Sequence, residues 1–297
     1  MMKNPLIIFA LFLISQISIA DGFDEITLKT TKVSGNVYML EGVGGFAGGN
    51  LAVSAGDDGL LLVDDQFAGM NDKIKAALKE IDAGDLRFVL NTHWHGDHSG
   101  GNALFSQQAI IIAHDNVRKR LQAPQENLFG KSTAQPKAAW PLITFDEALT
   151  LHMNGEAIDF IHFPNGHTDS DSVVFFTESN VIHTGDHFFV DIFPFVDLNS
   201  GGDVISYTKN VKSLIDQMPE DVKIIPGHGR LATLNDYKRF YDMLISTTDY
   251  VKTQLDAGMT LEQIQQAGFP EKWNSWNAGF IKAKVWISFI HESLLRQ

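Results

Sequence analysis

Four times along this 297-residue chain an apolar, strand-like run breaks off into a short cluster of histidine, aspartate and glycine. The clusters are "LNTHWHGDH" from Leu90, "HFPNGHTDSD" from His162, "VIHTGDHFF" from Val181 and "IIPGHG" from Ile224. A single histidine-rich loop is commonplace, but four at strand ends constrain the fold. Strand termini of a rigid sheet are where side chains from distant parts of a sequence converge, so the chain should bring all four clusters to one sheet edge.

The intervening sequence supplies the layers for such an edge. "NVYMLEG" reads as a strand, and "NLAVSAGDDGLLLVDDQ" as a hairpin that turns at Gly56 to Gly59. "GMNDKIKAALKEID" places Ile74, Ala77, Leu78 and Ile81 at helical spacing. "LRFVLNT" and "AIIIAH" are further strands, and "NVRKRLQ" begins a short helix. The second half echoes the first: a hairpin turning at Asn154 and Gly155, another near Glu178 to Asn180, helical "VISYTKNVKSLIDQM", the strand of "VKIIPGHG", and a long helix from Thr233. Two strand-then-helix segments predict an α/β fold, a four-layer αββα sandwich. No linker or low-complexity tract divides it, so residues 21–297 are expected to form a single domain. The stretch 122–141 holds Pro124, Pro136 and Pro141 without a clear period and is expected to be a loop.

Composition narrows what such a domain can do. With 44% hydrophobic and 20% charged residues it can bury a full core. A net charge of -13 argues against a phosphate-tracking surface, so no nucleic-acid partner is expected, only a small-molecule substrate. The chain contains no cysteine, which excludes a thiol nucleophile and thiolate ligands. Any metal must be held by nitrogen and oxygen. Residues 1–20 carry Lys3, an apolar run from Leu6 to Leu13, and small residues at Ser18 and Ala20, the pattern of a secretory signal peptide. That run is shorter than the ~20 residues of a spanning helix. The mature chain is therefore expected to be exported, to the periplasm, with no stable membrane anchor after cleavage.

Within the first cluster, His93 and His95 lie two apart on an extended segment and point the same way, as two ligands of one metal must. Asp97 and His98 follow as the chain turns and can face a second metal. One loop cannot complete two coordination shells, and His167, Asp186 and His228 in the other clusters are the natural completions. The remaining histidines carry weaker signals. His162, His183 and His187 flank the clusters and read as structural, His114 as a helix start or a supporting residue, and His152 and His291 have no companion signal.

At these positions the chain resembles the metallo-β-lactamase superfamily. The H-x-H-x-D-H signature stands intact as "HWHGDH", and later motifs match "GHT" at 166–168, "TGD" at 184–186 and "PGHG" at 226–229. The resemblance spans nearly the whole mature chain and implies the αββα sandwich. It implies two Zn2+ ions: His93, His95 and His167 on the first, Asp97, His98 and His228 on the second, and Asp186 bridging both. A hydroxide bridging the metals would then attack an ester, lactone, thioester or amide, β-lactams included, while Asp97 orients it and carries a proton to the leaving group. The lack of cysteine excludes lactamase subclasses with a zinc-binding thiolate, and a bridging aspartate looks more like the glyoxalase II and lactonase branches. Two alternatives stay open: a sulfur dioxygenase with one iron on His93, His167 and Asp186, and a metal-binding protein without turnover. Trp94, Phe67, Phe188 and Phe193 are candidate substrate contacts, with Phe189 and Phe195 in the same aromatic loop, although ordinary core packing would explain such a loop equally well. Oligomeric state is left open, since the apolar C-terminal stretch from Trp273 suits either a partner face or a docked helix.

Overall fold

The computed structural model describes residues 22–82 and 84–297, so the expected signal peptide lies outside the described residues. Alternation along the strands explains the architecture. In β3 (Leu51–Gly56) and β4 (Gly59–Val63), Leu51, Val53, Leu60 and Leu62 point to one side, and Ala52, Leu61 and Val63 to the other. Both faces are apolar and both must be covered. These strands sit in a seven-stranded sheet with β1 (Thr27–Ser34), β2 (Val37–Val43), β5 (Leu86–Asn91), β6 (Ile110–His114) and β9 (Ile143–Phe145), ordered β1-β2-β3-β4-β5-β6-β9. The second sheet has six strands in chain order: β10 (Ala148–Met153), β11 (Glu156–His162), β12 (Ser172–Phe176), β13 (Val181–His183), β14 (Lys223–Ile225) and β15 (Ala232–Thr233).

The sheets face each other across a core of Leu61, Val63, Leu90 and Ile112 from the first and Phe160, Val174, Phe176 and Ile225 from the second. Outside the first sheet, α1 (Asn71–Ile81) packs Ile74 and Leu78 against Val53 and Leu62. Outside the second, α5 (Val204–Gln217), α6 (Leu234–Asp256), α7 (Leu261–Ala267) and α8 (Ala283–Leu295) cover Val173, Ile182 and Ile224. This is the four-layer αββα sandwich expected from the sequence. Trp286, Ile287 and Ile290 of α8 are fully buried, so the apolar C-terminal helix is docked on its own core. Among the described residues no helix is long and apolar enough to cross a membrane.

Several elements depart from the sequence reading, β9 among them, since the sequence pattern marks no strand between Pro141 and Ala148. The edge strand β1 was not anticipated; "TLKTTKVS" is largely exposed and carries two lysines, so it lacks the apolar face that announces a strand. Part of the 122–141 stretch, expected to be a loop, forms a small hairpin from β7 (Gln125–Asn127) and β8 (Gly130–Ser132), paired only with each other.

The turns at one end of the sandwich fasten the sheets together. Asn154, at φ 55° in the β10–β11 turn, donates from Nδ2 to Ser54 Oγ at 3.0 Å and Gly59 O at 3.1 Å. Its Oδ1 accepts from Asp58 N at 3.1 Å. The opposite end, where β5, β13 and β14 terminate, gathers the histidine clusters.

Candidate metal centre

Each cluster reaches the centre by a different local device. β5 ends at Asn91, and the chain bends through Thr92, His93 and Trp94 instead of continuing extended as the sequence pattern suggests; His95 takes the N-cap position of the one-turn α2 (Gly96–Ser99), which swings Asp97 and His98 to the neighbouring side. His167 comes from the turn after β11, Asp186 from a 3-10 turn after β13, and His228 from the loop after β14. Glycine permits the closest approach: a Cβ on Gly227 would lie 2.1 Å from Asp186 Oδ1. Two tyrosines hold the Asp186 turn from behind, Tyr207 donating to Asp186 O at 2.8 Å and Tyr237 to His187 O at 3.2 Å.

Two groups of donors result, His93, His95, His167 and Asp186 in one, Asp97, His98 and His228 in the other. In the first, His95 Nδ1 lies 3.1 Å from His93 Nε2 and 2.8 Å from His167 Nε2. The ring tautomers follow from the outer partners. His95 Nε2 faces the Asp197 carboxylate at 3.0 Å and must donate to it. His167 Nδ1 faces the Phe195 carbonyl at 2.7 Å and must donate as well. His93 Nδ1 sits 3.1 Å from Thr92 Oγ1, whose own proton goes to Asp64 Oδ2 at 2.8 Å, so this imidazole also donates outward. Three unprotonated nitrogens are thereby turned on one point. Lone pairs do not assemble at such distances unless a cation lies among them, and the spacing suits donors sharing one ion at 2.0–2.1 Å bonds.

In the second group, His98 Nδ1 donates to Asp64 Oδ2 at 2.7 Å, which aims Nε2 inward. That nitrogen lies 3.5 Å from His228 Nε2 and 3.6 Å from Asp97 Oδ2. Asp186 stands between the groups. Its Oδ2 is 3.9 Å from His93 Nε2 and 3.3 Å from His167 Nε2, and its Oδ1 is 3.1 Å from His98 Nε2 and 3.4 Å from His228 Nε2. Asp186 Oδ1 is buried without a hydrogen bond of proper geometry, as expected of an oxygen meant for a metal. An all-nitrogen-and-oxygen donor set of this kind fits divalent cations such as zinc.

Electrostatics separate the groups further. Burial, reinforced by the neighbouring His98, pushes His93 well below the ordinary imidazole range, and burial brings His167 to about 4. For His98 and His228 burial acts in the same sense but is outweighed by carboxylates. Asp186, Asp97 and Asp64 hold His98 well above its usual range, and Asp186 and Asp97 raise His228 to about 9. Burial likewise opposes ionisation of Asp97 and Asp186, yet His98 and His228 keep Asp97 at about 2 and hold Asp186 well below the carboxylate range.

All seven sequence-predicted ligand positions therefore meet at one site. The other histidines do not join it: His183 bonds Asn50 O and Gly185 N, His187 stacks on Tyr207, and His114, the cap of α4 (Asp115–Leu121), stacks on His162 at 3.6 Å. Of the candidate substrate contacts, Trp94 and Phe67 line a cleft of about 690 Å³ that also exposes His95, Asp97, Asp186 and His228. Phe188 and Phe193 do not; both are buried in the helical core, Phe188 against Tyr237 and Phe240, Phe193 against Phe269 and Trp286. Phe195, from the same aromatic loop, does reach the cleft. The reading from residue patterns missed Asp64, Asp197, Phe46, Phe129 and Phe280. Only Asp64 left a usable signal, since "LLLVDDQ" is a fifth polar break at a strand end.

Comparison with known proteins agrees with this architecture. A probable metallo-hydrolase of Methanocaldococcus jannaschii is 28% identical over 181 residues, covering 58% of this chain and 83% of that protein. Among solved structures, a metallo-beta-lactamase from Pontibacter korlensis superposes with a TM-score of 0.61 at 17% identity, over 73% of this chain and 99% of the other. The DIM-1 metallo-beta-lactamase gives 0.59 at 18% identity, over 75% and 99%. These two likenesses establish the fold. The family model of the metallo-beta-lactamase superfamily matches residues 44–228, from the glycine-rich loop after β2 to the last histidine of the centre, and the chain belongs to that superfamily.

Proposed function

We propose that this protein is a binuclear zinc hydrolase that cleaves a carboxylic ester, lactone, thioester or amide, β-lactams falling within the last class. The observation that carries the reading is Asp186, which offers one carboxylate oxygen to each donor group. Divalent ions held there would bring the pKa of water toward neutrality and polarise a substrate carbonyl. Asp97 is the proton carrier: it is ionised, lies within 3.4 Å of His228 Nε2, and borders the cleft, so its Oδ2 can orient a water and pass a proton to the leaving group. Asp197 and Asp64 fix the directions of His95 and His98, and aromatic side chains wall the cleft through which a carbonyl would approach.

The decisive assay combines metal content with turnover. Protein purified without added metal should carry two zinc ions per chain. It should also hydrolyse at least one of nitrocefin, an N-acyl homoserine lactone or a thioester in a chelator-sensitive manner, and spare a phosphodiester. One iron per chain would overturn the reading in favour of dioxygenase chemistry. We further propose that the protein is exported with loss of residues 1–20; N-terminal sequencing of the secreted form should begin near Asp21.

A further inference from the structure

An unbroken arc of ring contacts runs along the cleft and joins the two donor groups. From His95 it passes to Phe195 at a centroid distance of 5.6 Å, to Phe129 at 5.0 Å and to Phe280 at 5.9 Å. It then reaches His228 at 6.3 Å and Phe46 at 5.7 Å. Phe129 closes this arc from the tip of the β7–β8 hairpin, touching the walls on either side of it. Despite these contacts the three rim phenylalanines stay wet: Phe129 is 64% exposed, Phe46 57% and Phe280 44%. Large apolar groups held this way gain hydrophobic free energy only when a ligand covers them.

Charge says what kind of ligand. Among the described residues lining the cleft, the one lysine or arginine is Lys131, and its Nζ is already 3.1 Å from the Glu126 carboxylate. The carboxylate and imidazole side chains of the lining, Asp97, Asp186, His95 and His228, belong to the centre itself. A carboxylate carried by the substrate away from the scissile group would thus lose hydration against phenyl rings, with only Lys131, already paired with Glu126, as a cation beside it. We infer that the cleft takes the uncharged apolar tail of an alkyl or aryl ester or lactone, and that Phe129 sets the preference for it. The inference takes its reaction from the hydrolase reading but its binding from the cleft alone. At about 690 Å³ the space accommodates a whole small-molecule substrate, tail included.

The test uses the zinc-loaded, full mature chain. With p-nitrophenyl acetate, butyrate and octanoate, kcat/KM should rise about fourfold per added methylene until the tail passes the rim. Mono-p-nitrophenyl suberate, with a distal carboxylate, should fall more than about tenfold below the octanoate ester. Phe129→Ala should flatten the chain-length series, whereas Leu128→Ala, an exposed neighbour outside the lining, should leave it intact. A flat wild-type series, or a suberate ester as good as the octanoate, overturns the inference while leaving hydrolysis standing. A second arm needs no turnover: Nile red, a neutral apolar dye, should bind and be displaced by 1-decanol, with binding weakened about tenfold by Phe129→Ala. Dye binding that depends on Phe129 without hydrolysis of any ester would sustain the cleft and sink the hydrolase reading. No dye binding, or binding indifferent to Phe129, overturns the inference whatever the esters do.

Discussion

The two donor groups differ in how firmly the protein holds them. In the first, each of three histidines has its outer nitrogen fixed, by Thr92, Asp197 and the Phe195 carbonyl, and none is more than 6% exposed. In the second, only His98 is anchored so, through Asp64. His228 is positioned by ring packing between Phe46 and Phe189, and Asp97 is partly open to the cleft. The first group is thus the more firmly preorganised, and the second, more open to the cleft at Asp97, would be the working side of the proposed hydrolase. One carboxylate, Asp186, ties them together, and each prediction that follows probes that division.

Asp186→Ala should have the largest effect, because it removes a donor from both groups at once. Metal content should fall below two per chain and turnover should drop to background; full retention of one ion and of activity would show the groups to be independent. Next comes Asp97→Asn, which should lower kcat by about 10²- to 10⁴-fold while the first group keeps its ion, measured by steady-state kinetics alongside metal analysis. Asp197→Asn should weaken the affinity of the first group alone by roughly 10- to 100-fold, whereas Asp64→Asn should weaken the second group by a similar factor and, through the Thr92 hydroxyl behind His93, the first group by less. Competition with a chromophoric chelator distinguishes them, and equal loss at both groups in either variant would break the comparison.

The smallest effect concerns histidines outside both groups. Burial and the stacked His162 lower His114 to about 4, from an ordinary value near 6.5. The unfolded chain therefore binds a proton between those values that the folded one refuses, so the contribution of His114 to stability is present above pH 6.5 and is lost as pH falls toward 4. His114→Asn, which can still cap α4, should flatten that part of the difference between wild-type and variant denaturation profiles.

How much of this was legible in the sequence depends on whether a residue travels in a pattern. His93, His95, Asp97 and His98 share one strand end, and His167, Asp186 and His228 each sit at another, so periodicity and recurrence together marked the edge. Asp197 acts on His95 as a lone carboxylate with no spacing to betray it, whereas Asp64 left only the polar break after "LLLV" as its trace. The strands β7 and β8, three residues each, are too short for alternation to register. Within "FFVDIFPFVD" the aromatic residues lie in irregular backbone, where no period separates Phe195, which faces the cleft, from Phe188 and Phe193, which face the helices. The layers themselves were readable because the strand runs are apolar on both faces, a composition that only a sheet covered on both sides tolerates.

The central claim, two ions sharing Asp186, is tested most directly by titrating the metal-free protein with Co2+ and following its visible and electron paramagnetic resonance spectra. The account predicts saturation at two equivalents, with the paramagnetic signal diminished by coupling as the second ion enters, and loss of that coupling in Asp186→Ala. Saturation at one equivalent, or two uncoupled ions unaffected by Asp186→Ala, would contradict it.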